Sequence, residues 1–542
     1  MKRINQFKLY IIVPLLMFMG VGCGEEFLNI NDNPNNPIEA SLDLLLPGAQ
    51  LGAAWGTTRV AWEDASIFSR HFYDLGESAY NVNTSQYPND WDAIFARSLK
   101  EFSQIVSQGE AEDKVGFQGI AKVQMAYLFG LAVDLWGDIP FTEALDGENN
   151  LFPAFDDDAS VYDNIFIMLD DAKVNLDSAL ARGEQAIASD LVYGGGSGTA
   201  QYTNWKRAAN TIKLKMLLNT RMVDPGRATT EINALITEDL LISSNSQNFT
   251  FVWGESDNPL NRHPMYQQEY GNSGDKDFYM DNYFMWKLHS KNDPRIRYYI
   301  YRQGTFDGLT FDTTPCSSRT DCAFWNLISA DPEADGLLGR DHGDPSGIPG
   351  DNEIRATFGV YPIGGSYDDD AREERTIDLG GKGAGITPWL TSSMRAFMLA
   401  EAALVLGATG DTKALFLEGI SESMEHVSDF SLSVQGANAV PMDQDEVDAY
   451  MADREADFDN ASSEDVTLNV IIEEKYFAEF GNGFESYNDI RRTGFPADLP
   501  TSLAPQGPFP LRFPYSVDEL TANPNAPDPA PLLSEPIFWD VN

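Results

Sequence analysis

Apolar residues recur along most of this chain at helical spacing. Val161, Ile165, Leu169, Ala172, Leu176 and Leu180 follow one another at intervals of four, four, three, four and four, which places them on one face of an amphipathic helix. Asp156–Asp158 stand just ahead and supply an N-terminal cap and a charge of the sign that suits a helix start. Val115–Trp136 is apolar on nearly every face, the pattern of a buried helix. Asn204–Arg221 carries Trp205, Ala209, Ile212 and Met216 along one side and predicts another helix with Trp205 in the core. Ser392–Leu406 and Thr412–Val427, joined by Gly407–Asp411, predict a helical hairpin, and Val466–Phe480 a further helix. Gly137 is placed to end the 115–136 helix, and Pro140 to prevent its resumption.

Between about 245 and 388 the pattern changes. Gly, Pro, Asp and aromatics dominate and helical runs are few. This predicts a large irregular insertion with short strands, and a stretch of that length is usually functional. The tail from Phe495 is rich in Pro and predicts a wrapping, irregular course. The expected fold class is therefore mainly α. Paired helices form a tetratricopeptide-like helical-repeat scaffold, with a large irregular, loop-rich, ligand-facing region.

The first residues read differently. Lys2, Arg3 and Lys8 precede the apolar stretch Tyr10–Val21. That stretch is shorter than the roughly 20 residues a membrane span needs, so 1–22 reads as a signal peptide. Gly20-Val21-Gly22-Cys23 resembles a bacterial lipobox, with Cys23 as the lipidated residue. Residues 23–37, containing the Asn- and Pro-rich run Leu28–Pro37, then form a lipidated tether, and 38–542 one domain. Gly24-Glu25-Glu26 resembles the surface-export signal of Bacteroidota lipoproteins.

Charge narrows the function. The chain of 542 residues carries 37 basic and 83 acidic side chains, a formal charge of −46. Nucleic acid is excluded as a partner, because binding it needs a basic footprint, and strongly polyanionic ligands are disfavoured. Of three cysteines, Cys23 is taken by lipid. Cys316 and Cys322 are left as a pair, expected as a small disulfide loop in an oxidising compartment. Zinc spacing is absent. The five histidines, 71, 263, 289, 342 and 426, are scattered. Gly195-Gly196-Ser197-Gly198-Thr199 lacks the last glycine of a nucleophile elbow, and Lys382 is followed by Gly383 where a phosphate loop needs Ser or Thr. Asp331–Gly336 opens like a calcium loop, but its twelfth position is His342. No cofactor and no metal are expected, with an irregular calcium site left open. Carboxylate pairs for glycoside hydrolysis are not legible among so many acids.

Five ordered segments carry a resemblance. They are Leu28–Pro37; Ala126–Leu145 with Val161–Leu176; Trp205–Arg221 with Asn292–Ile296; Gly339–Pro349 with Gly359–Gly365; and Ile471–Pro496 with Leu511–Leu520. Together they resemble SusD/RagB-type nutrient-binding outer-membrane lipoproteins of Bacteroidota, with Tyr476 and Tyr487 standing where Trp is common. The resemblance implies a binding protein without catalytic activity. It implies a hinged lid that holds oligosaccharide or peptide over a SusC-like TonB-dependent transporter. It also implies attachment to the outer membrane through the N-terminal lipid only, facing the medium. An extracellular glycoside hydrolase is the competing reading. Arg491 and Arg492 are expected to pair buried carboxylates within the scaffold. Ligand contacts are expected from aromatics outside apolar helix faces, since sugars stack on such rings. The candidates are Tyr80, Tyr87 and Trp91, and, in the irregular region, Trp253, Tyr266, Tyr270, Trp286 and Trp325.

Overall fold

Helix α1 (Leu42–Arg59) is followed by α2 (Lys100–Ala111), α3 (Val115–Trp136), α4 (Asp158–Arg182), α5 (Gly198–Asn219) and α6 (Pro225–Glu238). Each of α2 to α6 packs against the next. The computed structural model describes residues 40–73, 80, 82, 88–271, 278–307, 309–310, 314–316, 319–346, 354–504 and 507–541. The signal peptide, Cys23, the tether and Tyr87 lie outside the described residues. After the irregular region come α7 (Ser392–Leu406), α8 (Thr412–Gln435), α9 (Gln444–Asp459), α10 (Glu464–Ala478) and α11 (Gly483–Thr493). Helix α7 packs on α8 and α10 and also touches α5 and α6, so the two helical runs close on one another. This is the tetratricopeptide-like scaffold that the periodicity predicts.

Local chemistry explains the boundaries. Asp157 caps α4 by accepting from the Ser160 backbone N–H, and Gly183 ends it in the left-handed region at φ 64°, which costs glycine nothing. Val161, Ile165, Leu169, Ala172 and Leu176 are buried along its inner face. Every residue of α3 except Lys122 is buried. Gly137 follows it at φ 79°, and a Cβ there would run into the Arg512 guanidinium. Helix α5 starts six residues before the predicted Asn204, because Ser197 caps it through the Ala200 N–H.

Three two-stranded antiparallel pairs organise the region between the helical runs: Phe72–Tyr73 with Tyr279–Met280, Phe249–Val252 with Ile386–Leu390, and Ile300–Tyr301 with Thr357–Phe358. Buried Arg295 fastens this region to the scaffold. Its guanidinium binds Asp293 at 2.6 Å, Glu474 of α10 at 3.2 Å and the Ser423 hydroxyl of α8 at 3.0 Å. Cys316 and Cys322 are disulfide-bonded, with Cα atoms 6.2 Å apart.

The tail does more than wrap the surface. Phe513, Tyr515, Ile537 and Trp539 are buried in the main core. The Trp539 indole donates to Asp134 Oδ1 at 2.9 Å, and the Trp136 indole donates to the Pro514 carbonyl at 3.0 Å. Arg492 grips both carboxylate oxygens of Glu401 and also Asp489, while Arg491 donates to the Asp134 and Leu511 carbonyls. Both arginines therefore serve the scaffold. Trp205 is wholly buried, its indole on Asp190 at 2.8 Å.

Candidate functional site

Helix α1 turns Leu42, Leu46, Ala49, Gln50, Ala53 and Ala54 inward. Leu44, Leu51 and Trp55 remain on the surface, Trp55 with 37% of its area exposed. Gly48 and Gly52 lie on the same side and let the neighbouring turn approach closely. A Cβ on Gly52 would sit 3.1 Å from the Arg97 carbonyl, and one on Gly48 would sit 3.4 Å from Glu101 Oε2. That approach brings Arg97 and Glu101 to the edge of α1. The Arg97 guanidinium lies over the Trp55 ring, 5.7 Å from its centroid.

The opposite wall is the segment after the Phe249–Val252 strand. Trp253 is held by its indole N–H on Thr387 Oγ1 at 2.9 Å and by edge contacts with Phe251 and His263. Leu260, Asn261, Arg262, Pro264, Gln267 and Gln268 follow. Between the walls is a cleft of about 950 Å³, against about 470 Å³ for the cleft around Arg297 and Arg302. It joins apolar surface (Leu51, Trp55, Leu260) to amide groups. The Gln267 Oε1 atom is buried there with no hydrogen-bond partner among the described residues. Arg262 donates to the Glu255 carbonyl at 3.0 Å and lies 3.6 Å from the exposed Asp257.

Glu101 is the one carboxylate among the lining residues, and burial raises its pKa above the usual range. Glycoside hydrolysis needs two carboxyls facing the bond, and nucleophilic catalysis needs a base beside its nucleophile. Neither is among the lining residues. An apolar floor with a few convergent polar groups suits binding and orientation of a ligand.

The structure places the predicted aromatics in different settings. Trp253 lines this cleft while remaining mostly buried. Tyr80 is half-buried in a separate depression of about 370 Å³ with Arg70, Pro500 and Phe509, its hydroxyl bonded to Arg70. Trp286 is half-buried against His289. The other described candidates are core residues. Trp91 stacks on Phe95 at 4.4 Å and meets Trp136 edge-on at 5.0 Å. Tyr266 and Tyr270 stack at 4.6 Å and donate to the Ile377 and Phe358 carbonyls. Trp325 is buried against Phe306. Tyr266, Tyr270 and Trp325 join the same core as the helices, where their rings find aromatic neighbours and backbone acceptors, and Trp91 is taken up on the helical side by Phe95 and Trp136. Trp55, Arg97 and Glu101 were not anticipated. The signal was the stripe Gly48, Leu51, Gly52 and Trp55 at spacings of three, one and three, apolar yet loosened by glycine.

Oxygens of Asp138, Asp157 and Asp158 lie within 4.8 Å of one another. They already accept from the backbone N–H groups of Asp158, Ser160, Ala159 and Phe538, which assigns them to the start of α4. Asp331 accepts from the Glu333 N–H and faces His289.

A family model for SusD-like proteins, described as starch-binding and associating with the outer membrane, matches residues 65–516. No curated protein matches the chain. Solved structures do. A chitin-binding protein superposes with a TM-score of 0.69 at 18% identity, over 93% of this chain and 100% of that one. A SusD homologue from Bacteroides fragilis gives 0.68 at 18% identity, over 93% and 99%. A chitin-binding SusD homologue from Flavobacterium johnsoniae gives 0.66 at 18% identity, over 92% and 99%. At that identity the likeness carries the fold.

Proposed function

The chain belongs to the SusD-like family of outer-membrane-associated proteins, and from that membership we propose that it captures oligosaccharide in the cleft beside α1, without catalysing any reaction on it. The observation that carries this is the exposed Trp55 and Leu51 beside amide groups in the 950 Å³ cleft. Sugar rings offer C–H faces to an indole, and their hydroxyls pair with amides. The bound glycan is then handed to a SusC-like TonB-dependent transporter, with the protein held at the outer membrane by lipid on Cys23, facing the medium.

Titration calorimetry against neutral oligosaccharides, chitin oligomers and peptides tests the reading. The chitin oligomers are included because two similar structures are of chitin-binding proteins. Trp55→Ala should weaken glycan binding by roughly five- to 150-fold, the usual effect of losing an aromatic anchor. Its melting temperature should stay near wild type, because the ring lies on the surface. Peptide binding without glycan binding would sink the oligosaccharide reading, and release of reducing sugar by pure protein would sink the non-catalytic one. Isolation of the tagged protein from outer membranes should bring a TonB-dependent transporter with it; recovery of the protein alone counts against delivery.

A further inference from the structure

Arg97 in the cleft differs from most cations of the described residues. Most arginines and lysines here are matched to carboxylates, as in Arg59–Asp90, Lys173–Glu238, Arg221–Glu401 and Arg302–Asp368. Arg97 is exposed and has no carboxylate within ion-pair distance among the described residues; its contact is the face of Trp55. A guanidinium layered on an indole keeps its in-plane N–H fork free, and that fork fits a carboxylate in two parallel hydrogen bonds. Arg262 adds a second positive group on the far wall, its nearest carboxylate the 71% exposed Asp257.

We infer that the α1 cleft is shaped for an oligosaccharide bearing carboxylates, a uronic-acid glycan, with Arg97 as the group that receives the acid. The inference rests on the cleft being the glycan site. Glu101 is the one lining residue of opposing sign. The net charge of −46 does not forbid such a ligand. At physiological salt, exposed charges more than about 8 Å away are largely screened, so the groups lining the cleft dominate. A sparsely charged oligomer differs in this respect from a dense polyanion.

The test uses the full-length protein and pairs of probes that differ only in charge: galacturonate or mannuronate oligomers and their methyl esters. The acid form should bind roughly ten- to 100-fold more tightly than the ester, the usual margin for a charge-assisted pair, and added salt should shrink the margin. Arg97→Gln should abolish the preference and Arg97→Lys should keep part of it, while Glu101→Gln should tighten the acid form and leave the ester unchanged. Equal binding of acid and ester, both weakened by Trp55→Ala, would overturn the inference and leave the glycan site standing. An acid preference that survives Arg97→Gln would overturn the assignment to Arg97. Binding indifferent to Trp55→Ala would remove the site and the inference together.

Discussion

Asp134→Ala is expected to cost about 3–5 kcal/mol of stability, the range for removing one partner of a buried ion pair. Asp134 is fully buried on α3 and is the acceptor on which four parts of the fold converge. Lys215 Nζ of α5 reaches Oδ2 at 2.7 Å, and Asn219 reaches the same oxygen at 3.3 Å. Asn488 of α11 donates at 3.1 Å, Trp539 of the tail at 2.9 Å, and the Tyr162 hydroxyl of α4 binds Oδ1. Alanine leaves these donors without that acceptor and leaves Lys215 with Glu485, at 3.4 Å, as its remaining carboxylate among the described residues. Urea denaturation measures the loss. Lys215→Met in the same chain should recover part of it, because an apolar pair tolerates burial better than a lone charge. A single-variant loss under about 1 kcal/mol, the size of one ordinary hydrogen bond, would show that Asp134 is not the junction described.

Acid should unfold the protein abruptly below about pH 4. Burial lowers the pKa of His71 and of His263 to about 3 and holds His342 well below its usual value, whereas unfolded histidine titrates near about 6.5. The unfolded chain therefore binds these protons first, and their contribution to stability falls as the pH drops from about 6.5 through the folded values. Burial would raise Glu401, but Arg492 and Arg221 hold it at about 2. Its contribution is present above the unfolded value and is lost as the pH falls toward 2. Other carboxyls act in the opposite sense. Burial raises Asp90 to about 6 and also raises Asp281 and Glu479. A carboxyl with a raised pKa takes up its proton in the fold before the unfolded chain does, so these groups offset the histidines as the pH falls toward the unfolded carboxyl values. Below about pH 4 they are protonated in both states and the offset ends. The histidines and Glu401 then drive unfolding with a slope above one proton, which is about 1.4 kcal/mol per pH unit. Melting curves should change little between pH 7 and 5 and collapse between 4 and 3. A slope equivalent to a single proton in that window would refute the account, and His263→Gln should lower the slope by about one proton.

The scaffold was legible where burial is one-sided or complete, as in α4 with its stripe from Val161 to Leu176 and α3 with its apolar circumference. It was not legible where other forces form the helix. Helix α9 is strongly acidic and buries only Tyr450 and Arg454, so its pattern lacks an apolar face. Helix α1 carries Pro47 in its interior, where proline removes a backbone hydrogen bond and reads as a break, yet the helix runs through it. The site was harder to read. Expectation placed ligand aromatics in the polar stretch with Tyr80, Tyr87 and Trp91 and in the irregular region, where Tyr266, Tyr270 and Trp325 are consumed by the main core. The exposed ring with the best claim on a ligand, Trp55, belongs to a helix. Single residues do not announce which face of a helix lacks a neighbour, because that depends on what packs beside it.

The bond between Trp539 and Asp134 joins positions 405 residues apart. At about 5–20 residues per second, the partner of Asp134 is made roughly 20–80 seconds after Asp134 itself. Once residue 219 is made, Lys215, Asn219 and Tyr162 can gather on the carboxylate, but the Asn488 donor is 354 residues from Asp134 and the Trp539 ring arrives last of all. The central core can reach its final state only when synthesis has passed residue 539. Chain completion thus acts as a timer that delays maturation of the interior, and shortened products that lack this tryptophan should be recognised and cleared by proteases.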